Sequence, residues 1–191
     1  MKKLFIVAFG MALWQSAQAL SMKGMEIPDV VKSDDTVLQL QGAAVRTWYL
    51  VVDGYIGALY LENPTTDVSR ILSEESYQRM SFTILLSKMS ARRMANAFYE
   101  AIQINTSEEE QKELEKGIAQ FMDMIDGTLK KGESGTFEYI PGKGARVIIA
   151  GEEKGTIPGK KLFNAILKVW IGETPPNQKF KEDILGLNAK G

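Results

Sequence analysis

The stretch from Thr36 to Glu62 is the part of the sequence that most restricts the possible folds. It contains three apolar runs, TVLQLQG, AAVRTWYLVV and GYIGALYLE. Apolar runs of this length, rich in β-branched and aromatic residues and bounded by turn residues, are typical of strands. The Asp53-Gly54 pair predicts a hairpin turn between the last two runs, because this dipeptide favours tight turns. An antiparallel sheet is therefore the first expectation.

Helical patterns lie on both sides of the next predicted strand, QRMSFTILLS. A short helix is predicted over 67–73 before this strand, and two longer helices over 90–103 and 107–126 after it, each with apolar residues on one face. Ser107 and Glu110 predict a capping box at the start of the second long helix. The glutamates there suit the positive end of the helix dipole, so they do not indicate a metal site.

The rest of the chain repeats the order of strands followed by helices. The segment GTFEYIPGKGARVIIAGEEKGTI predicts an antiparallel meander with turns at PGKG and GEEKG. Helices are predicted over about 159–171 and 178–185. This order predicts an α+β domain in which helices cover one face of an antiparallel sheet.

The first nineteen residues have the composition of a secretory signal peptide. Lys2 and Lys3 precede an apolar run from Leu4 to Trp14, and Ala17-Gln18-Ala19 resembles a small-x-small cleavage site. We expect cleavage after Ala19, a lead-in over 20–35, a single domain over 36–191, and a periplasmic or secreted protein. Because no cysteine follows the cleavage site and no later run is long enough to span a bilayer, we expect no stable membrane anchor.

Composition excludes several kinds of site. The sequence has no cysteine and no histidine, which excludes disulfides, Ser-His-Asp and Cys-His catalysis, and zinc sites built on those residues. The net charge of −1, which becomes −3 without Lys2 and Lys3, gives no basic footprint for nucleic acid. The glycine and lysine clusters at 142–144 and 159–161 lack the phosphate-loop spacing. We therefore expect no cofactor and no metal.

Arg46 is the single cation in the apolar runs of the predicted hairpin. A guanidinium stays charged, so its burial requires a carboxylate, a phosphate or several carbonyl groups. One interpretation is an internal salt bridge, or an arginine that reaches water from a strand end. The other is an anion-binding arginine in an apolar cleft that holds an amphiphile with a carboxylate or phenolate head. Periodicity does not choose between them.

Four short segments, in this order, resemble the chalcone isomerase-like proteins, in particular their exported bacterial branch. They are Gly42-x-x-Val45-Arg46, Tyr60-Leu61-Glu62, Tyr139-x-Pro141-Gly142-x-Gly144 and Trp170-Ile171-Gly172. The resemblance runs from about Val37 to Gly186. It implies an open-faced β-sandwich, in which a layer of helices covers a curved antiparallel sheet and a ligand cleft lies between them.

The resemblance also implies a set of site residues. Arg46 matches the cleft arginine that, in the isomerases, orients and stabilises a phenolate for intramolecular addition. The other catalytic positions are not retained, since the isomerase threonine falls at Tyr55 and a late Thr or Ser falls at Val169. The helix tyrosine and asparagine fall near Arg92 and Tyr99, and a shift of one residue would substitute Arg93 for Arg92.

Three functions are compatible with this reading. The first is a non-catalytic protein that binds a small amphiphilic anion, such as a fatty acid, through Arg46 with Tyr55, Arg92 and Tyr99 as helpers. The second is an isomerase, an intramolecular lyase, acting on a chalcone-like α,β-unsaturated ketone. The third is an interaction module with a vestigial cleft, in which Arg46 pairs with an internal carboxylate. We favour the first, and the oligomeric state stays open.

Overall fold

A computed structural model describes residues 19–49 and 51–188 of the chain. The strands are β1 (Ala19–Met22), β2 (Met25–Pro28), β3 (Val30–Ser33), β4 (Thr36–Trp48), β5 (Val52–Leu61), β6 (Gln78–Ile84), β7 (Lys88–Ser90), β8 (Thr128–Lys130), β9 (Ser134–Ile140), β10 (Gly144–Ile149) and β11 (Glu152–Pro158). The helices are α1 (Val68–Ser73), α2 (Ala91–Asn105), α3 (Glu108–Met124), α4 (Lys160–Ile171) and α5 (Gln178–Ile184). The predicted signal peptide lies outside the described residues except for Ala19.

Seven strands form one antiparallel sheet in the order β11-β10-β9-β6-β5-β4-β3. The sheet is strongly curled, as a contact across it shows: Arg146 on β10 reaches Asp34, which follows β3, although four strands lie between β10 and β3. The concave side is the inner face, and the helices pack on the opposite, outer face. The predicted α+β class and the curved sheet with a helical layer are therefore confirmed, as are all five helices and the capping box of Ser107 and Glu110.

An aromatic cluster forms the centre of the core between the sheet and the helices. Phe82 and Phe137 from the sheet meet Phe98 of α2 and Trp170 of α4, with ring centroids 5.2 to 6.1 Å apart. All four side chains are buried. Rings at these separations add to the burial of apolar area, so α2 and α4 are held firmly on the sheet.

Residues 20–35 contribute strands rather than an irregular lead-in. β1 and β2 form a hairpin, and β3 is an edge strand of the main sheet. Ile27 of this hairpin packs with Leu38, Ile56 and Tyr60 in a second apolar cluster on the inner face of the sheet. The hairpin therefore covers the face that the helices leave open. Short strands with mixed exposure have no clear alternation, which is why the sequence pattern did not predict them.

Two predicted turns lie at other positions. The Asp53-Gly54 turn is wrong: β5 already begins at Val52, and the turn begins at Tyr49, next to the end of β4. Gly54 lies within β5 and contacts the ring of Trp48. Any Cβ at this position would overlap that ring, which is why the residue is glycine. The turn between β10 and β11 lies at Ala150 and Gly151, so most of GEEKG belongs to β11.

Glu138 is the centre of an ion-pair network on the inner face. Its side chain is fully buried and pairs with both Arg79 and Arg146. Arg146 also forms a salt bridge with Asp34, at 2.7 Å, and donates a hydrogen bond to the hydroxyl of Ser33, at 3.2 Å. The network joins β6, β9 and β10 to the turn between β3 and β4, so it holds the sheet in its curled form.

A bulge in β4 determines which residues face the helices. The register with β5 shifts between Leu40 and Gly42, leaving Gln41 unpaired. The amide of Gln41 donates to the carbonyl of Leu185 at 2.7 Å and accepts from the backbone N–H of Thr65 at 2.9 Å. Gly42 lies directly under the end of α5, where an added Cβ would overlap the carbonyl oxygen of Asp183. The close approach of α5 therefore requires glycine at this position.

We predict that Gly42→Ala lowers the free energy of unfolding by about 1–3 kcal/mol, because the added methyl group pushes α5 away from β4. Urea denaturation of both proteins measures the difference. Gly117→Ala is the matched control: its Cβ meets side-chain methyl groups alone, Leu162 at 3.2 Å and Ile157 at 3.6 Å, and alanine favours the helix. Equal losses of stability in the two variants would contradict the conclusion that the close approach of α5 requires glycine at position 42.

Candidate ligand-binding cavity

A cavity of about 510 Å³ lies between the end of the β4–β5 hairpin and one face of α2. The hairpin contributes Arg46, Trp48 and Tyr55, and further walls come from residues 86–90, Val169 of α4 and the loop at 174–176. Cavities of this size are ordinary for small-molecule ligands. The space is therefore large enough for an amphiphile.

The bulge at Gln41 puts Arg46 on the cavity side of the sheet. Before the bulge, Leu38 packs in the inner cluster; after it, Val45 packs in the inner cluster and Ala44 in the helix-facing core. Because side chains alternate along a strand, Arg46 would share the face of Leu38 if the register were continuous. The single unpaired residue turns the arginine outward to the helices.

Arg46 has no internal carboxylate partner within the described residues. No Asp or Glu oxygen there lies within 4 Å of its guanidinium, and its one hydrogen bond goes from Nη1 to the carbonyl oxygen of Thr47, at 3.1 Å. The guanidinium is partly buried and lines the cavity. A guanidinium has five N–H donors, so most of its hydrogen-bonding capacity has no protein partner among the described residues.

Tyr55 is the cross-strand partner of Arg46 and lines the same cavity. Its hydroxyl oxygen accepts a hydrogen bond from Nε1 of Trp170 at 2.9 Å. Burial raises the pKa of Tyr55 to about 12, although the Trp170 hydrogen bond and the charge of Arg46 act in the opposite direction. The phenol is therefore neutral near pH 7, so its hydroxyl can donate a hydrogen bond as well as accept the one from Trp170.

The two helix residues of the predicted site, Arg92 and Tyr99, lie outside the cavity. Seven residues apart, they share a stripe of α2 that faces solvent. The residues one position later, Arg93 and Glu100, both line the cavity. Arg93, the substitute for Arg92 that a shift of one residue gives, therefore lies in the cavity wall, because such a shift rotates a helix position by about 100°. The binding role expected for Arg92 and Tyr99 stays a prediction.

The sequence interpretation missed a cationic residue at the rim. Lys88 lines the cavity together with Arg46 and Arg93, and Glu100 is the one acidic residue of the lining. A signal was present in the sequence, because no Asp or Glu occurs from residue 76 to residue 99. The excess of positive charge favours an anionic ligand.

The remaining walls are mostly apolar. Met89, Met94 and Phe98 lie on the α2 side, and Val169 occupies the position where the resemblance implied a hydroxyl group. The α2 lining runs from Arg93 to Ile104, which corresponds to roughly 16 Å along the helix axis. The cavity therefore combines the guanidinium of Arg46 with a long, mostly apolar wall.

The family model described as chalcone isomerase-like matches residues 19–186. The chain belongs to the chalcone isomerase-like family. This confirms the resemblance, and the match extends to β1–β3, which the four motif segments did not cover. A search of curated protein sequences found no match to the chain.

Among solved structures, the chalcone isomerase-like chain is similar to a fatty-acid binding protein of Arabidopsis thaliana. The TM-score is 0.71 at 17% sequence identity, covering 88% of this chain and 96% of that one. At this identity the similarity establishes the shared fold. Within the described part of the chain, no helix has both the length and the apolar character needed to cross a membrane.

The raised pKa of Tyr55 predicts a specific loss of stability in alkali. The unfolded phenol ionises from about pH 10, whereas the folded one ionises near 12, so the stability from Tyr55 is complete below pH 10 and is lost as the pH rises to 12. Over that range native protein should lose on the order of 2 kcal/mol more than Tyr55→Phe. Urea denaturation at successive pH values measures both slopes. Loss of the Trp170 hydrogen bond lowers the free energy of unfolding of Tyr55→Phe by the same amount at every pH below 10. The same dependence of the free energy of unfolding on pH in both proteins would therefore contradict the prediction.

Proposed function

We propose that this protein binds a small amphiphilic anion, such as a fatty acid, in the cavity, and that Arg46 holds the head group. The observation that carries the proposal is the pairing of Arg46 and Tyr55 at one apolar cavity, with no internal carboxylate for Arg46 among the described residues. A carboxylate would satisfy both groups. It would accept charge-assisted hydrogen bonds from the guanidinium and one hydrogen bond from the neutral phenol.

The apolar walls support a hydrocarbon tail. Each methylene group transferred from water to such a wall contributes about 0.8 kcal/mol. Lys88 and Arg93 add positive charge at the rim, which attracts anions to the cavity. The Arabidopsis thaliana protein that shares this fold is a fatty-acid binding protein, which agrees with this ligand class.

We predict that Arg46→Ala weakens the binding of laurate by roughly tenfold to a hundredfold, since a hydrogen bond to a charged group contributes about 1.5–3 kcal/mol. Isothermal titration calorimetry measures the affinity. Arg46→Lys should be intermediate, because lysine keeps the charge and loses the planar pair of donors. Arg92→Ala is the matched control, an arginine of the same region outside the cavity, and should bind as the native protein does.

Two results would contradict this function. If Arg46→Ala binds laurate as tightly as the native chain and is only less stable, Arg46 is a structural residue and the cleft is vestigial. If the native protein cyclises a chalcone faster than buffer does, and Arg46→Ala loses that activity, the protein is an isomerase. Against the second, Val169 is apolar where the isomerases have Thr or Ser, and the isomerase tyrosine and asparagine fall near Arg92 and Tyr99.

We also propose that the protein is exported and cleaved after Ala19. Support comes from the N-terminal sequence, in which Lys2 and Lys3, an apolar run and Ala17-Gln18-Ala19 follow one another in the order of a signal peptide. The intact mass and N-terminal sequence of the protein isolated from its source cells test this. We expect Leu20 as the first residue, in an extracytoplasmic fraction. A full-length chain in the cytoplasm would exclude export.

A further inference from the structure

Apolar side chains project from the end of the β4–β5 hairpin. Tyr49 is 93% exposed and Val51 is 81% exposed, the two highest values among the large exposed hydrophobic residues described. Val52, where β5 begins, is 38% exposed. We call Tyr49, Val51 and Val52 the hairpin tip. Most tight turns carry small polar residues instead, so this composition calls for a physical reason.

The backbone of the tip is strained as well as apolar. Tyr49 has a φ of 51°, the left-handed region that glycine and asparagine adopt readily and that is unusual for a bulky residue. The N–H of Val51 donates to the carbonyl of Trp48 at 3.2 Å, which closes a tight turn. In water, glycine or asparagine would relieve both the strain and the exposure. Strain of this kind concentrates where function requires it.

The tip adjoins the rim of the cavity. Trp48, the residue immediately before Tyr49, lines the cavity. Lys88 and Arg93, both exposed, line the same cavity. Asp53, which follows Val52, is paired with Lys23 at 2.8 Å. An apolar tip next to a cavity that two exposed cations also line is an arrangement suited to contact with anionic lipid.

We infer that the hairpin tip inserts into the surface of a lipid bilayer with anionic head groups, and that ligand passes between bilayer and cavity there. The inference rests on the proposed function, since a bilayer is the reservoir in which fatty acids accumulate. Tyr49 suits this place because a tyrosine ring lies in the apolar boundary while its hydroxyl stays among polar head groups. Lys88 and Arg93 would meet the anionic lipids.

The size of the tip favours a bilayer over a protein partner. A tyrosine and two valines bury only a few hundred Å², whereas a stable protein interface requires about 800 Å² on each side. A bilayer makes no such demand, because a few inserted side chains and nearby cations suffice for reversible binding.

Vesicle flotation tests the inference with the proposed mature chain, from Leu20 onward. The vesicles are phosphatidylcholine alone or phosphatidylcholine mixed with phosphatidylglycerol. We expect the native chain to float with the anionic vesicles and less with the neutral ones. The double variant Tyr49→Ser/Val51→Ser should reduce the partition coefficient at least about tenfold. Val37→Ser is the matched control, an exposed valine at the opposite end of β4, up to about 40 Å from the tip.

Laurate titration without vesicles separates this inference from the proposed function. The double variant should keep the native affinity for laurate, and Arg46→Ala should lose laurate affinity while still floating. If the native chain does not float, or if the double variant floats equally well, the tip does not contact membranes, whatever the laurate result. Sedimentation of a native dimer that the double variant converts to monomer would also overturn the inference, since the tip would then bind a second copy.

Discussion

The register shift at Gln41 is the constraint on which the candidate site depends. One unpaired residue in β4 exchanges the two faces of the strand, so Val45 joins the inner cluster and Arg46 turns to the helices. The bulge is held from both sides, because the Gln41 amide bonds Leu185 after α5 and Thr65 after β5. Gly42 lets α5 lie directly on the strand. The glycine and arginine of the G-x-x-V-R segment therefore act together: Gly42 allows α5 to pack on β4, and Arg46 lies on the face that the bulge turns toward the cavity.

The opposite face of the same sheet is organised by charge. Glu138 is buried between Arg79 and Arg146, and Arg146 extends the network to the turn after β3. Removing one partner of such a group leaves an uncompensated buried charge, which is strongly destabilising. The strands thus separate two kinds of polar interaction. Satisfied ion pairs maintain the curl on the inner face, and Arg46 remains available on the outer face.

The helices, the succession of sheet and helices from Thr36 onward, the PGKG turn and the family could be predicted from sequence because each depends on local pattern: the 3.6-residue period, the Ser107 cap and the short segments. The turn after β4 could not, because Tyr49 occupies a conformation that no propensity favours, and Gly54 is needed for contact with Trp48 rather than for a turn. Arg46 and Tyr55 were found through the resemblance, and the structure brings them together. The positions of Arg93 and Glu100 in the cavity wall depend on the rotation of α2, and that of Lys88 depends on β7, a short strand that the sequence pattern did not predict.

The methionines of the cavity have a consequence for selectivity. Met89 and Met94 are unbranched and polarisable, so their side chains can repack around tails that differ in shape or carry a bend. The head-group end is rigid by comparison, since Tyr55 is fixed by Trp170 and packed against Phe82 and Phe180. If the cavity binds an amphiphile as proposed, it would then be strict about the head group and tolerant of the shape of the tail.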